Sequence, residues 1–192
     1  MTRTQARTAL LALAIAVSGA AAHAQIKIGV TLSTTGPAVS LGIPEKNTIA
    51  LLPKTIAGKS VEYVVLDDAS DSSAAVVNTR RLTLEDKVDA IIGSTTTPNS
   101  LAMIDAVADS GTPTISLASS ARIIEPMSPK KAWVFKTPQT DTMMVLAILE
   151  HAAQRGMKTM GYIGFNDALG EAFYAEFEKF ASVRRIQIVR SE

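Results

Sequence analysis

Short, continuously apolar runs alternate along the chain with longer segments of helical periodicity. The runs predicted as strands span residues 26–32, 61–66, 88–92, 113–117, 133–136, 159–163 and 186–189. The segments predicted as helices span residues 72–86, 97–109, 141–155 and 169–182. Apolar runs without polar alternation are typical of strands that helices cover on both faces. The repeated strand–helix units therefore predict an α/β fold built on a doubly wound parallel sheet.

Capping residues mark the ends of these helices. The predicted N-caps are Asp71 or Ser72, Thr97, and Thr140 or Asp141. Pro98 suits the first helical position, while Gly111 and Gly156 suit the end of a helix. The segment 42–56 gives no clear prediction, because Pro44 and Pro53 bracket a candidate helix that is short.

The first 24 residues carry the pattern of a secretory signal peptide. Arg3 and Arg7 precede an uncharged apolar run at 8–22, and an A-x-A site at 22–24 lies directly before Gln25. A positive start, an apolar centre and small residues at a cleavage site form that signature. We therefore expect cleavage before Gln25 and a mature protein outside the cytoplasm, with an N-terminal membrane anchor as the alternative.

Charge and composition argue against several functional classes. Lys plus Arg total 19 and Asp plus Glu total 18, so no basic excess points to nucleic acid. The chain has no cysteine, which rules out disulfides and thiolate chemistry, and it has only two histidines. No G-x-S-x-G, H-E-x-x-H, EF-hand or G-x-G-x-x-G motif occurs, and His151 lies in a predicted helix. We therefore expect neither an enzyme nor a protein that holds a metal or cofactor.

Three acidic residues follow the second predicted strand. Asp67, Asp68 and Asp71 could form a cation site. A strand end followed by a helix cap explains the same spacing. We favour the capping interpretation over the metal site.

Hydroxyl-rich loops follow two strands of the predicted sheet. Residues 93–98 follow the third strand, and residues 116–121, including Ser119 and Ser120, follow the fourth. Open α/β sheets bind ligands at the edge where their parallel strands end, and a helix N-terminus there offers free N–H groups. With the Thr97 hydroxyl, such a site could hold a small carboxylate without a charged side chain. The alternative is that Thr97 only caps its helix and the serines only satisfy turn backbone.

Six ordered segments resemble a known family. They are 26–30 with 35–37, 66–71, 86–93, 111–116, 135–138, and 161–164 with 169–171. In this order they resemble the periplasmic solute-binding proteins of branched-chain amino-acid ABC transporters, of the leucine/isoleucine/valine-binding type. The resemblance implies the type I periplasmic-binding-protein fold, in which two α/β lobes joined by hinge strands close on a ligand. It implies a first lobe at 25–136 and the start of a second lobe at 137–192.

The resemblance also assigns ligand-binding positions. Thr97 matches a Ser or Thr that binds the ligand carboxylate, Ala118 a backbone carbonyl that meets the α-ammonium, and Ser120 a Thr that contacts both groups. Leu41 and Leu169 match positions whose side chains lie against the ligand. Many relatives carry Tyr where Leu169 stands, so the resemblance leaves the ligand open among amino acids, amides, urea and other carboxylates.

The function implied is that of an ABC-transporter substrate-binding protein in the periplasm. Its partners would be a small-molecule ligand and the membrane permease subunits, with no cofactor. The alternatives are an extracytoplasmic sensory domain of the same fold and an exported α/β enzyme, which the missing nucleophile elbow disfavours. Because family members continue past the second strand of their second lobe, we expect these 192 residues to be a fragment or a truncated form.

Overall fold

Strands and helices alternate in the computed structural model, which describes residues 25–192. The strands are β1 (Ile26–Leu32), β2 (Thr55–Ile56), β3 (Lys59–Asp67), β4 (Ala90–Ile92), β5 (Thr114–Ser116), β6 (Val134–Lys136), β7 (Thr159–Tyr162) and β8 (Gln187–Ser191). The helices are α1 (Val39–Leu51), α2 (Ser72–Arg80), α3 (Thr97–Ser110), α4 (Asp141–Gln154) and α5 (Ala168–Ala181). The predicted signal peptide lies outside the described residues.

The larger of two compact units comprises residues 27–52 and 63–192. In it, β3, β1, β4, β5 and β6 are neighbours in that order, and β1, β4, β5 and β6 pair in parallel. A second sheet pairs β7 and β8 in parallel. The predicted α/β class with mostly parallel strands is confirmed. Parallel pairing brings the carboxyl ends of β1, β4 and β5 to one edge, where the loops after these strands meet.

Helices pack on both faces of the main sheet. Ile91 of β4 lies in a core with α2 and α3, while Val30 and Leu32 of β1 pack with Ile49 of α1. A separate core joins α4 and α5 to the second sheet, through residues such as Val145, Leu149 and Phe177. For β1 and β4, the continuous apolar runs therefore correspond to strands with α-helices on either side.

The smaller unit, within the described residues, comprises 25–26 and 53–62. It contains an antiparallel hairpin in which Thr55 pairs with Ser60 and Ile56 with Lys59. Ala57 and Gly58 both have positive φ, at 50° and 78°, as a two-residue hairpin turn requires. The sequence analysis did not predict this hairpin, because its first strand has two residues and alanine takes the place usually held by Asn or Asp.

The capping predictions are mostly confirmed. Asp71 accepts a hydrogen bond from the Ala74 N–H at 2.7 Å, and Thr140 accepts one from the Met143 N–H at 3.2 Å. Gly111 ends α3 with φ 65°, in the left-handed region that favours glycine.

The N-cap prediction for α3 is wrong by one residue. Thr96, with extended backbone, is the N-cap, and Thr97 is the first helical residue. The undecided 42–56 segment does contain a helix, α1, which begins earlier, at Val39, and carries Pro44 inside it. No helix within residues 25–192 combines the length and apolar character that crossing a membrane requires.

Candidate functional site

A cavity of about 470 Å³ lies where the loops after β1, β3, β4 and β5 meet the segment before α5. Its lining residues are Pro37, Ala38, Ser40, Leu41, Ser70, Thr95, Thr96, Thr97, Pro98, Leu117, Ala118, Ser119, Phe165, Asp167 and Leu169. Its volume falls within the range of small-molecule sites. The cavity lies at the sheet edge where the sequence places its candidate loops.

The N-terminus of α3 forms one wall. Thr96 makes no side-chain cap hydrogen bond, and Pro98 has no N–H to donate. Thr97 is 1% exposed, and its Oγ1 has no hydrogen-bond partner. An unpaired buried hydroxyl costs about 1–3 kcal/mol, so a partner is expected to supply the missing bond. Unused helix N–H groups together with this hydroxyl favour an anionic or carbonyl oxygen at this wall.

The loop after β5 forms the adjacent wall. The Ala118 N–H donates to the Ser116 Oγ at 3.1 Å, which fixes the backbone of this loop from behind. Ala118 is 4% exposed, and Ser119 beside it also lines the cavity. Leu117 adds an apolar side chain. This wall combines polar backbone with apolar surface.

Apolar side chains close the remaining sides. Leu41 of α1 is 57% exposed, Phe165 is 74% exposed, and Leu169 is half-buried at the start of α5. Only glycine fits at position 170, directly after Leu169, because a Cβ there would lie 1.9 Å from the Phe165 carbonyl oxygen. These side chains suit a ligand with an apolar body.

Asp167 is the charged residue among those that line the cavity within residues 25–192. Its Oδ1 accepts hydrogen bonds from the N–H groups of Leu169 at 2.8 Å and Gly170 at 3.1 Å, so it caps α5. Beside it, burial and, to a smaller extent, the Asp167 charge raise the pKa of Tyr162. The Tyr162 hydroxyl therefore stays neutral and donates to the Gly170 carbonyl at 2.7 Å.

Thr95 links the cavity to a half-buried acid, Glu45. Its Oγ1 donates to Glu45 Oε2 at 2.5 Å and accepts from the Ser33 N–H at 3.0 Å. Burial raises the pKa of Glu45, the hydrogen bond from Thr95 opposes that shift, and the charge of Asp68 adds to it. The Thr95 hydroxyl is thus oriented away from the cavity while Glu45 is ionised.

Five of the six predicted site residues line this cavity, namely Thr97, Ala118, Ser119, Leu41 and Leu169. Ser120 does not line it. Its fully buried hydroxyl donates to Asp141 Oδ2 at 3.0 Å and accepts from the Arg122 N–H at 3.3 Å. Ser120 can therefore donate a hydrogen bond to a ligand only if its hydroxyl leaves Asp141.

The sequence analysis missed several lining residues, among them Ser40, Ser70, Phe165 and Asp167. The rule used for the loops after the third and fourth predicted strands also applies to Ser70, which follows β3. It applies equally to Phe165 and Asp167, which follow β7. Ser40 lies at the start of α1, outside every element that the sequence predicted.

The acidic residues after β3 serve as hydrogen-bond acceptors for the protein itself. Asp71 caps α2, while Asp67 and Asp68 accept bonds from neighbouring loops. Residues 25–192 bring no three His, Asp or Glu side chains together as a metal ion would need.

Comparison with known proteins gives a consistent result. The model of a family described as periplasmic binding protein matches residues 25–192. An extracellular ligand-binding receptor from Rhodopseudomonas palustris HaA2 is 43% identical, with a TM-score of 0.85, over 88% of this chain and 47% of that one. Among curated protein sequences, none matches significantly.

Two other solved structures are similar at lower identity. A solute-binding protein of an ABC transporter from Rhodopseudomonas palustris BisB5, in complex with 3,4-dihydroxybenzoic acid, is 26% identical with a TM-score of 0.80, over 87% of this chain and 46% of that one. A leucine-binding protein from Thermotoga maritima is 23% identical with a TM-score of 0.77, over 86% and 48%, a likeness of fold alone. The chain thus spans about half the length of the structures it matches.

Proposed function

The chain belongs to the periplasmic binding protein family, and we propose that it is the substrate-binding protein of an ABC transporter. In this role it captures a small amino acid or a related carboxylate or amide and delivers it to a membrane permease. The family and the similar structures are ligand-binding proteins, which argues against an enzyme.

The unpaired hydroxyl of Thr97 carries the proposal. It is buried, it lines the cavity, and it lies at a helix N-terminus with no side-chain cap. A ligand carboxylate accepts from the Thr97 hydroxyl and from the free N–H groups of the first turn of α3, as the helix dipole favours. The alternative, that Thr97 only caps α3, loses its basis because the N-cap is Thr96.

The rest of the ligand lies against the other walls. The Ala118 carbonyl accepts from an ammonium or amide N–H of the ligand, while Leu41, Leu117 and Leu169 contact the apolar part of the ligand. Burial of an apolar group against such walls contributes about 25 cal/mol for each Å² removed from water. Closure of two lobes about hinge strands would complete the enclosure of the ligand.

Relatives define the first compounds to try. One similar solute-binding protein holds 3,4-dihydroxybenzoic acid, and another similar protein is named for leucine. Leu169 offers no hydroxyl, so we propose that the second lobe selects its ligand by apolar contact.

A thermal-shift screen of residues 25–192 tests the proposal. The panel contains amino acids, amides and aromatic acids, and isothermal titration then measures each hit. A ligand at 100 times its Kd adds about 2.7 kcal/mol of stability, which shifts the Tm by several degrees. If no small acid or amide raises the Tm, the proposal fails.

The periplasmic location has its own test. Export through the segment 1–24 predicts a mature chain that begins at Gln25. Intact-mass measurement of protein from the periplasmic fraction checks this. A chain that retains Met1 in the membrane fraction would contradict it.

A further inference from the structure

We propose that Asp68, which does not line the cavity, is the positioning residue that fixes the loops of the binding site relative to one another. The inference rests on the proposed function of the cavity. It gives a role to an acidic residue that the helix cap, supplied by Asp71, leaves unexplained.

Asp68 is fully buried and accepts four hydrogen bonds. Its Oδ1 accepts from Ser33 Oγ at 2.7 Å and from the Ser70 N–H at 3.1 Å. Its Oδ2 accepts from Ser94 Oγ at 2.7 Å and from Thr31 Oγ1 at 3.3 Å. The donors Ser33, Ser70 and Ser94 belong to three different loops, after β1, β3 and β4.

Each of these loops supplies cavity residues within a few positions of its bond to Asp68. Ser70 lines the cavity itself, Ser94 directly precedes Thr95, and Ser33 is four residues before Pro37. Ser70 ties two of the loops again, because its Oγ accepts from the Ala38 N–H at 3.0 Å and donates to the carbonyl of Thr35.

The fourth loop is connected through Ser94. The Ser94 carbonyl accepts from the Leu117 N–H and from Ser100 Oγ, each at 3.2 Å. Ser116 Oγ donates to Ser100 Oγ at 2.8 Å and accepts from the Ala118 N–H at 3.1 Å. A buried chain of hydrogen bonds therefore runs from the Asp68 carboxylate to the Ala118 wall.

The chemistry of a carboxylate suits this role. When ionised it only accepts hydrogen bonds, so each serine hydroxyl that points at it has its rotor fixed as a donor. Bonds to an ionised acceptor are also shorter and roughly twice as strong as neutral ones. No ion pair within residues 25–192 involves Asp68, so the loops themselves, through their hydroxyl and N–H groups, solvate the buried charge.

Amide hydrogen exchange on the ligand-free chain measures this positioning directly. The probes are the N–H groups of Ser33, Leu117 and Ala118, which bond to Thr95 Oγ1, the Ser94 carbonyl and Ser116 Oγ. Asp68→Ala is expected to speed their exchange at least about tenfold, which is the effect expected from the loss of roughly one charge-assisted hydrogen bond. The N–H of Gln187, which bonds to the Lys158 carbonyl in the second sheet, is the reference and keeps its rate.

Two further variants separate positioning from general stability. Asp68→Asn keeps one carbonyl oxygen for Ser33 and Ser70, so it restores Ser33 protection while Leu117 recovers only in part. Ser94→Ala removes one bond, stays foldable if Asp68→Ala does not, and is expected to speed exchange at Leu117 and Ala118 but not at Gln187.

Asp141 supplies the matched control, because it is 2% exposed and accepts from Ser120 Oγ and the Ala121 N–H. Asp141→Ala is expected to leave the Ser33 and Leu117 amides at their wild-type rates. Unchanged rates at Ser33 and Leu117 in Asp68→Ala would overturn the inference, and so would equal acceleration at Gln187.

Affinity is measured beside exchange. Any acid that binds the wild type is expected to bind Asp68→Ala at least about tenfold more weakly, and equal affinity would overturn the inference. If no acid binds the wild type, the proposed function fails, while the exchange rates still decide whether Asp68 positions the loops.

Discussion

Thr97 shows how a binding residue differs from a structural one. A threonine that serves its own fold satisfies its hydroxyl locally, as Thr140 does by accepting from the Met143 N–H. Thr97 is equally part of a helix start, yet its hydroxyl is buried and without a partner. The unpaired hydroxyl lowers the stability of the ligand-free fold, and a hydrogen bond to a ligand oxygen removes that penalty.

Replacing Thr97 by valine separates these two effects. Thr97→Val keeps the shape and removes the unpaired hydroxyl, so the free energy of unfolding without ligand is expected to rise by about 1 kcal/mol. Affinity for a carboxylate is expected to fall about 10- to 150-fold, the worth of a hydrogen bond to a charged group. Urea unfolding and titration calorimetry measure the two quantities. Thr97→Ser is the control that keeps both properties close to wild type. Undiminished affinity in Thr97→Val would show that the Thr97 hydroxyl does not bind the ligand.

Glu45 makes stability depend on pH. Its pKa in the folded state is raised above the ordinary value of about 4.3, chiefly by burial. Between these two pKa values the folded state holds a proton that the unfolded state has lost, so stability falls as pH rises through that interval. Glu45→Gln is expected to remove this fall, which urea unfolding from pH 4 to pH 8 would reveal. Parallel stability curves for the two proteins would contradict the expectation.

Asp67 affects the stability of the fold in a different pH interval and with the opposite sign. Burial works against its ionisation, but hydrogen bonds from Thr35, Ala69 and Thr34 outweigh it and lower the pKa of Asp67. Its contribution is therefore present above about pH 3.9 and is lost as pH falls towards the lowered value. The Glu45 effect can be measured without interference above that range.

At the scale of elements, the long periodic features could be predicted and the local exceptions could not. The helix of Thr97 is recognisable from its periodicity, its proline and the glycine that ends it. Which of Thr96 and Thr97 caps it depends on one backbone angle, and both residues are good caps. From the sequence, Ser120 is predicted to be a loop hydroxyl beside the site. Its partner Asp141 is 21 residues away, and no sequence pattern predicts that contact.

Helix α1 depends on a close approach that only glycine permits. A Cβ on Gly42 would lie 2.0 Å from the Ser33 carbonyl oxygen, so the helix and the end of β1 would have to separate. Gly42 therefore lets α1 pack directly against the end of β1. Because α1 carries Leu41 into the cavity, its position also sets one wall.

Substitution of Gly42 tests that dependence. Gly42→Ala is expected to lower the free energy of unfolding by about 2 kcal/mol or more through overpacking, and to weaken ligand binding as the Leu41 wall shifts. Gly161→Ala is the matched control, since a Cβ there meets nothing within 4 Å. Its effect should stay within about 1 kcal/mol. Equal unfolding midpoints for the two variants in urea would show that α1 tolerates the added methyl group.

At the scale of the whole molecule, the two faces of the main sheet are covered unequally. On one face, α2 and α3 bury Ile91 and Val134. On the other, α1 covers β1, but Ile115 of β5 and Phe135 of β6 are 38% and 52% exposed. These two residues are register partners, so their side chains form one apolar patch on β5 and the edge strand β6.

This patch predicts self-association of residues 25–192. An exposed apolar face on an edge strand favours pairing with another chain, and a lysine on such a strand opposes it. Phe135→Lys is therefore expected to lower the weight-average mass measured by sedimentation at rising protein concentration. Met143→Lys, at a 62% exposed position on α4, is the control for an added charge and should leave association unchanged. A chain that is monomeric throughout, or equal effects of the two lysines, would show that the patch drives no association.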